Sequence, residues 1–256
     1  MAVYTTEIAS DKITSDNPIH QRLLKAYYIA KEYVGGEMLE IGCGEGRGVG
    51  LLQDDIDSYT AIDKITEVVD KLSAQYPQAD FIQSVIPPLA FPDQKFDSVI
   101  SFQVIEHIRD DKRYLEEIAR VLKPGGIALL TTPNIKKSLS RNPWHIREYT
   151  AAELTELCRP YFTRVEMLGI TGNDTVLEYY NQNKESVKRL TRFDVLDLQH
   201  KLPAFMLKIP YEIMNRLNRN KLQSTDNKLV ASIKHDDYIV SEDADQSLDL
   251  LAILTR

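Results

Sequence analysis

The chain has 256 residues, 43% hydrophobic and 27% charged, with a net charge of −7. That length supports one sizeable core, or one core plus a cap, and the acidic balance argues against general nucleic-acid binding. Two cysteines, Cys43 and Cys158, make a disulfide framework a poor reading and point to a reducing compartment; with no leader pattern and no apolar run of membrane-spanning length, a cytoplasmic location is expected.

A helix is expected over residues 18–34, followed by apolar runs alternating with helical segments to about Gly172. Such alternation predicts a parallel sheet covered by helices on both faces. Strands are expected near residues 38–42, 59–63, 80–84, 98–102, 127–132 and 164–169. Residues 248–255 are apolar enough to join the sheet.

The first strand leads into Glu40-Ile-Gly-Cys-Gly-Glu-Gly-Arg-Gly. Glycines at 42, 44, 46 and 48 directly after a strand mean a tight turn and a close approach of backbone to a nucleotide-like ligand. The dinucleotide fingerprint needs glycines at the first, third and sixth positions. Counted from Gly42, the sixth is Arg47, so a nucleotide-dependent oxidoreductase is disfavoured. The second strand, Ser-Tyr-Thr-Ala-Ile, ends in Asp63. A carboxylate there can accept both hydroxyls of a ribose; alternatively it caps a helix starting near Lys64.

The third block runs Phe-Asp-Ser-Val-Ile-Ser-Phe-Gln-Val-Ile-Glu-His-Ile over residues 96–108, a strand turning into a helix. If residues 103–107 form a first helical turn, Gln103, Glu106 and His107 share a face. Val-Leu-Lys-Pro-Gly-Gly at 121–126 reads as a helix stop ahead of the next strand.

In aggregate, the acid-x-Gly-x-Gly-x-Gly run, residues 96–101, Glu106-His107-Ile108 and residues 120–126 resemble the class I S-adenosylmethionine (SAM) methyltransferases over roughly residues 37–172. The likeness is to the type 11 and type 23 kinds, which include the ubiquinone-biosynthesis O-methyltransferases. It implies a doubly wound, mostly parallel seven-stranded sheet, with the last strand antiparallel between the fifth and sixth. It also implies SAM as cofactor, held by Glu40, Gly42, Cys43, Gly44 and Gly46, by Asp63 and Lys64, by Val85 and Ile86, and by Phe102 and Gln103. The chain departs from the family at one place. Many relatives carry a Gly-Asp-Ala run after the third strand, and its Asp falls here on Val85. Adenine must then be met by backbone near Val85 and Ile86, or by Gln83.

Methyl transfer is an in-line displacement that needs near-attack geometry, and a hydroxyl acceptor also needs a base. His107 and His145 lie after the fourth and fifth strands and are the candidates, with Glu106 beside them. Glu106, His107 and His145 also resemble the metal-binding set of small-RNA 2′-O-methyltransferases. Gln103 replaces that family's first Glu, so a divalent ion is less favoured than a histidine base. A third reading has Glu106 and His107 as a bonded pair fixing the helix start. Trp144, Tyr149, Arg147 and Arg141 are placed at the acceptor pocket, with core packing the alternative for the two aromatics. His20 and Arg22 on the first helix are placed near the SAM carboxylate, with surface charge as the alternative. Cys43 is read as a small loop residue.

Residues 174–236 break the alternation and read as a helical cap. Between Lys184 and Lys221, nine basic residues face four acidic ones, a local balance of +5. Its apolar stripe (Phe205, Met206, Ile209, Tyr211, Ile213, Met214, Leu217) reads as core packing, with peripheral membrane contact the less favoured reading. The chain is thus expected to divide into a cofactor-covering segment (1–35), a SAM-binding core (36–173), a cap (174–236) and a returning strand (237–256). The expected activity is O-methylation of a small-molecule acceptor such as a quinone precursor, a sugar or an anionic lipid-linked compound. The alternatives are metal-assisted 2′-O-methylation of RNA and a non-catalytic SAM-binding protein.

Overall fold

The computed structural model describes residues 13–192, 194 and 198–256. Residues 1–12 of the expected N-terminal segment and Asp197 of the charged insertion lie outside the described residues.

Helix α1 (Asn17–Ala30) starts with Pro18 in its first turn and buries Ala26, Tyr27, Ile29 and Ala30. Then come β1 (Glu37–Ile41), the short α2 (Val49–Leu52), β2 (Ser58–Asp63), α3 (Thr66–Gln75), β3 (Asp80–Gln83), β4 (Phe96–Phe102), α4 (Asp111–Val121), β5 (Leu122–Pro133), α5 (Ala151–Cys158) and β6 (Arg164–Gly172). Among the described residues four helices follow, together called the cap: α6 (Asp174–Thr191), α7 (Leu198–Lys201), α8 (Ala204–Thr225) and α9 (Asn227–Ser232). Strands β7 (Tyr238–Ser241) and β8 (Asp249–Thr255) complete the fold.

The strands form one sheet in the order β3-β2-β1-β4-β5-β8-β6-β7. The pairs β2–β3, β1–β2, β1–β4 and β4–β5 are parallel, and β8 runs antiparallel between β5 and β6, as expected. Central strands of such a sheet are covered on both faces, so they carry unbroken apolar runs. Met38, Leu39 and Ile41 on β1 and Val99 and Ile100 on β4 are accordingly buried. One face packs on α1 and the cap through Tyr27, Ala30, Val176 and Leu222. The other packs on α4 and α5 through Tyr114, Leu115, Ile118 and Leu154. Truncating a fully buried leucine such as Leu115 should cost about 2–5 kcal/mol. Local signals place the helices: Asp110 caps α4, a Thr150–Glu153 capping box starts α5, and Asn173 caps α6.

Four expectations are corrected. Among the described residues the sheet has eight strands rather than seven. The extra one, β7, is a four-residue edge strand whose Ile239 and Val240 are both exposed, so it lacks a buried alternation. The Pro-Gly-Gly segment ends α4 but also belongs to β5, as a bulge. Its partner advances from Phe96 to Ser98 while β5 advances from Leu122 to Ile127, with Gly125 at φ +79°. Residues 103–107 are not one helical turn. Gln103 is left-handed at φ +58°, and a 3-10 turn covers only Ile105–His107.

The last correction concerns α8, whose apolar stripe, Tyr211 apart, faces outward and does not pack into the core. Phe205 is 74% exposed and Ile209 70%. The opposite side of the helix, with Tyr211, Asn215, Asn218 and Arg219, lines a polar cavity instead. Asp16, fully buried, anchors this helix through Arg216 at 2.8 Å and Arg219 at 3.1 Å.

Candidate active site

The residues expected at the cofactor lie at the carboxyl ends of four neighbouring parallel strands, β3-β2-β1-β4. After β1, Gly42 turns at φ +79° and donates its N–H to Ile62 at 2.8 Å, drawing the loop onto β2. A side chain there would meet Val104 at 2.5 Å. Gly44, at φ +50°, has open space where a side chain would point. Its N–H donates to Oδ2 of Asp63 at 3.0 Å, and Oδ1 of Asp63 accepts from Ile65 at 3.0 Å. Asp63 therefore clamps the glycine loop and the approach to α3. A carboxylate has about four acceptor sites, so each oxygen retains capacity for a ligand hydroxyl.

Glu40 lies buried under the loop. It accepts the Tyr27 hydroxyl at 2.7 Å and the Tyr59 hydroxyl. Burial raises its carboxyl above the ordinary range, while the two phenols hold it down. Both phenols are pushed well up, chiefly by burial. Burial also pushes the Cys43 thiol up, so it is not a poised nucleophile. Beyond β3, Val85 is 73% exposed and Ile86 half-buried. The Gln83 side chain donates to the Lys64 carbonyl at 3.3 Å, joining the ends of β3 and β2. Phe102 packs edge-on to Tyr27 with ring centres 5.0 Å apart. His20 accepts from Arg47 of the glycine loop at 3.2 Å.

A cavity of about 280 Å³ lies between α1, the strand ends and the cap. Gln103 lines it and is shared with the expected cofactor set; Glu106, His107, His145 and Arg22 line it too. Arg22 pairs with the buried Asp249 of β8 at 3.2 Å. Burial raises the Asp249 carboxyl, and Arg22 offsets this in part.

Three of the predicted residues converge. Ligand atoms of Glu106, His107 and His145 all lie within 4.8 Å of one another. Backbone bonds hold them there, since the Glu106 carbonyl accepts from Ile146 at 2.7 Å and Arg147 at 3.3 Å. Glu106 is buried, accepts the Thr132 hydroxyl at 3.0 Å, and has its carboxyl pushed up to about 7 by burial. Nδ1 of His107 bonds the Trp144 carbonyl at 3.0 Å. Nδ1 of His145 bonds Oε1 of Glu148 at 2.6 Å, and its Nε2 meets the Asn142 amide at 2.8 Å. An acceptor on each Nδ1 assigns the proton there and makes Nε2 the basic nitrogen. The two rings stand edge to face, 5.0 Å apart.

Of the other expected pocket residues, Arg141 and Arg147 line a second cavity beside His145 and Glu148, whereas Trp144 and Tyr149 line neither cavity. Tyr149 is fully buried in the core and donates to Asp111 at 2.9 Å. Arg147 covers the Tyr149 ring and bonds Asp111 at 3.0 Å. Arg141 donates to the carbonyls of Gln199 and Leu202, tying this loop to α7. Trp144 stacks under the Lys208 ammonium, 3.5 Å from the ring centre. Sequence reasoning missed Glu148, Asn142 and Asp249. The spacing Asn142-x-x-His145-x-x-Glu148 was the available signal for the first two; Asp249 was hidden in an apolar strand.

A methyltransferase-domain family model matches residues 39–130. A probable S-adenosylmethionine-dependent methyltransferase of Mycolicibacterium smegmatis is 32% identical over 247 residues, spanning 93% of this chain and 86% of its own length. Another from Mycobacterium tuberculosis is 31% identical over 244 residues, spanning 93% and 81%. A solved SAM-dependent methyltransferase of Thermotoga maritima matches with a TM-score of 0.59 at 14% identity, over 94% of this chain and 90% of that one, which shows a common fold.

Proposed function

The chain belongs to the S-adenosylmethionine-dependent methyltransferases, and from that premise we propose that it methylates a hydroxyl oxygen of a small molecule bound in the cavity under the cap. The observation that carries this is the His145–Glu148 pair at the cavity wall. Glu148 holds the imidazole with Nδ1 protonated. Nε2, which would have to exchange the Asn142 amide for the acceptor hydroxyl, then takes its proton as the oxygen attacks the methyl carbon. The carbon–sulfur bond breaks, sulfur keeps the electron pair, and S-adenosylhomocysteine leaves. SAM would be held on the glycine loop, with Asp63 for the ribose, Val85 and Ile86 for the adenine, and Gln103, which also lines the cavity, at the border with the acceptor. The lining of Asn142, Asn183, Asn215, Tyr179 and Tyr211 offers donors and acceptors side by side. That chemistry favours a polyhydroxylated acceptor such as a sugar over a quinone ring. Labelled methyl transfer to small-molecule fractions of a cell extract tests the reading. A labelled ether supports it; label on nitrogen or on macromolecules only would overturn it.

One arrangement favours a second reading, the convergence of Glu106, His107 and His145. Each Nδ1 already bonds a carboxylate or a carbonyl, the outer-shell support that metal-bound histidines show. The donor set therefore fits a divalent ion, although Nε2 of His145 would have to exchange the Asn142 amide for it. Such an ion would lower the pKa of the acceptor hydroxyl. Calorimetric titration with manganese, repeated on His107→Ala, decides between the two readings.

A further inference from the structure

We propose that the outer face of α8 docks on an anionic phospholipid surface. Phe205, Ile209, Ile213 and Leu217 recur every four residues, so they lie along one side of the helix. They are 74%, 70%, 56% and 62% exposed, and Met206 and Met214 flank them, also exposed. The stripe is about 18 Å long at the helical rise. Contiguous exposed apolar surface of this kind marks an interaction site.

Charge selects the occupant. The segment from Lys184 to Lys221 carries nine basic and four acidic residues in a chain of net charge −7. On α8 itself Arg216 and Arg219 are paired with the buried Asp16 and Lys208 lies over Trp144, so the exposed positive charge comes from Lys221 and, outside the helix, from Lys184, Lys188, Arg189, Arg192 and Lys201. Exposed Lys201 and Lys221 sit near the two ends of the stripe. A helix with an apolar face and basic flanks lies in a bilayer interface and is drawn to anionic headgroups. A second copy fits poorly: packed antiparallel, the stripe would bring Lys201 of one copy against Lys221 of the other, and like charges oppose that contact. No helix among the described residues is long and apolar enough to cross a membrane, so the contact is peripheral. The polar side of the same helix lines the cavity through Tyr211 and Asn215. Docking on α8 would thus hold the cavity just above the headgroups.

Flotation with vesicles of equal parts phosphatidylglycerol and phosphatidylcholine tests this. The protein should float with them, stay behind with pure phosphatidylcholine, and be released as salt screens the attraction. Ile209→Glu/Ile213→Glu, at two exposed positions, should lower partitioning by about tenfold or more. Failure to float, or flotation unchanged in the double variant, would overturn the proposal. So would a dimer in sedimentation velocity that the double variant abolishes while vesicles are ignored. None of these readouts depends on methyl transfer.

Discussion

His145 and Glu148 are joined by a 2.6 Å contact between Nδ1 and Oε1, and Glu148 also accepts the hydroxyl of Ser138. The carboxylate is thereby fixed from two sides. Its role in the proposed chemistry is to set the tautomer and to stabilise the imidazolium that forms. Glu148→Gln leaves a side chain of the same shape without the charge. It should lower kcat by about 10²-fold while KM for SAM stays close to the wild-type value. A steady-state comparison checks it; a rise in KM with unchanged kcat would make Glu148 a binding residue instead.

Glu106 predicts a pH-dependent stability. Its carboxyl is pushed up to about 7 from an ordinary 4.5, because burial penalises the charged form. The folded protein therefore holds a proton that the unfolded chain releases. The neutral group's contribution is complete below about pH 4.5 and is lost as pH rises through about 7. Glu106→Gln stays neutral throughout. Melts in a chelator should find the variant matched to wild type near pH 5 and more stable near pH 8, by up to about 3 kcal/mol. An equal offset at both pH values would count against the shifted carboxyl.

Asp63 accepts two backbone N–H groups, from Gly44 and Ile65. An amide in its place cannot accept both, and it loses the charge offered to a ribose. Asp63→Asn should weaken S-adenosylhomocysteine binding by about 10- to 100-fold in calorimetry. Loss of thermal stability with unchanged affinity would reduce Asp63 to a loop clamp.

The buried Asp16 faces both Arg216 and Arg219. Asp16→Asn would leave two guanidinium groups without their counter-charge, one of them on a buried side chain. The expected cost is about 3 kcal/mol or more. A drop in Tm of under about 2 °C would show that the cap does not depend on this cluster.

The parts legible in the sequence were those where one physical rule dominates. Strands buried on both faces write continuous apolar runs, so β1, β2, β4 and β8 could be found, and the glycines after β1 announced the loop. Tertiary choices were less legible. Gln103 adopts a left-handed backbone that no glycine advertises. Glu148 reaches His145 across a turn, where helical spacing rules do not apply. The α8 stripe has the periodicity of a core helix. Only the polar cavity on its other side explains why it faces out. Tyr149 resembled a pocket residue through its neighbours, yet the hydrogen bond to Asp111 directs it into the core.

The most direct measurement is methyl transfer to the isolated acceptor across a pH series, for wild type and His145→Ala, with S-adenosylhomocysteine affinity measured in parallel. The expected result is a loss in kcat of about 10²- to 10⁴-fold, with affinity for the homocysteine compound unchanged. Turnover within about twofold of wild type would contradict it, because no proton transfer could then depend on His145.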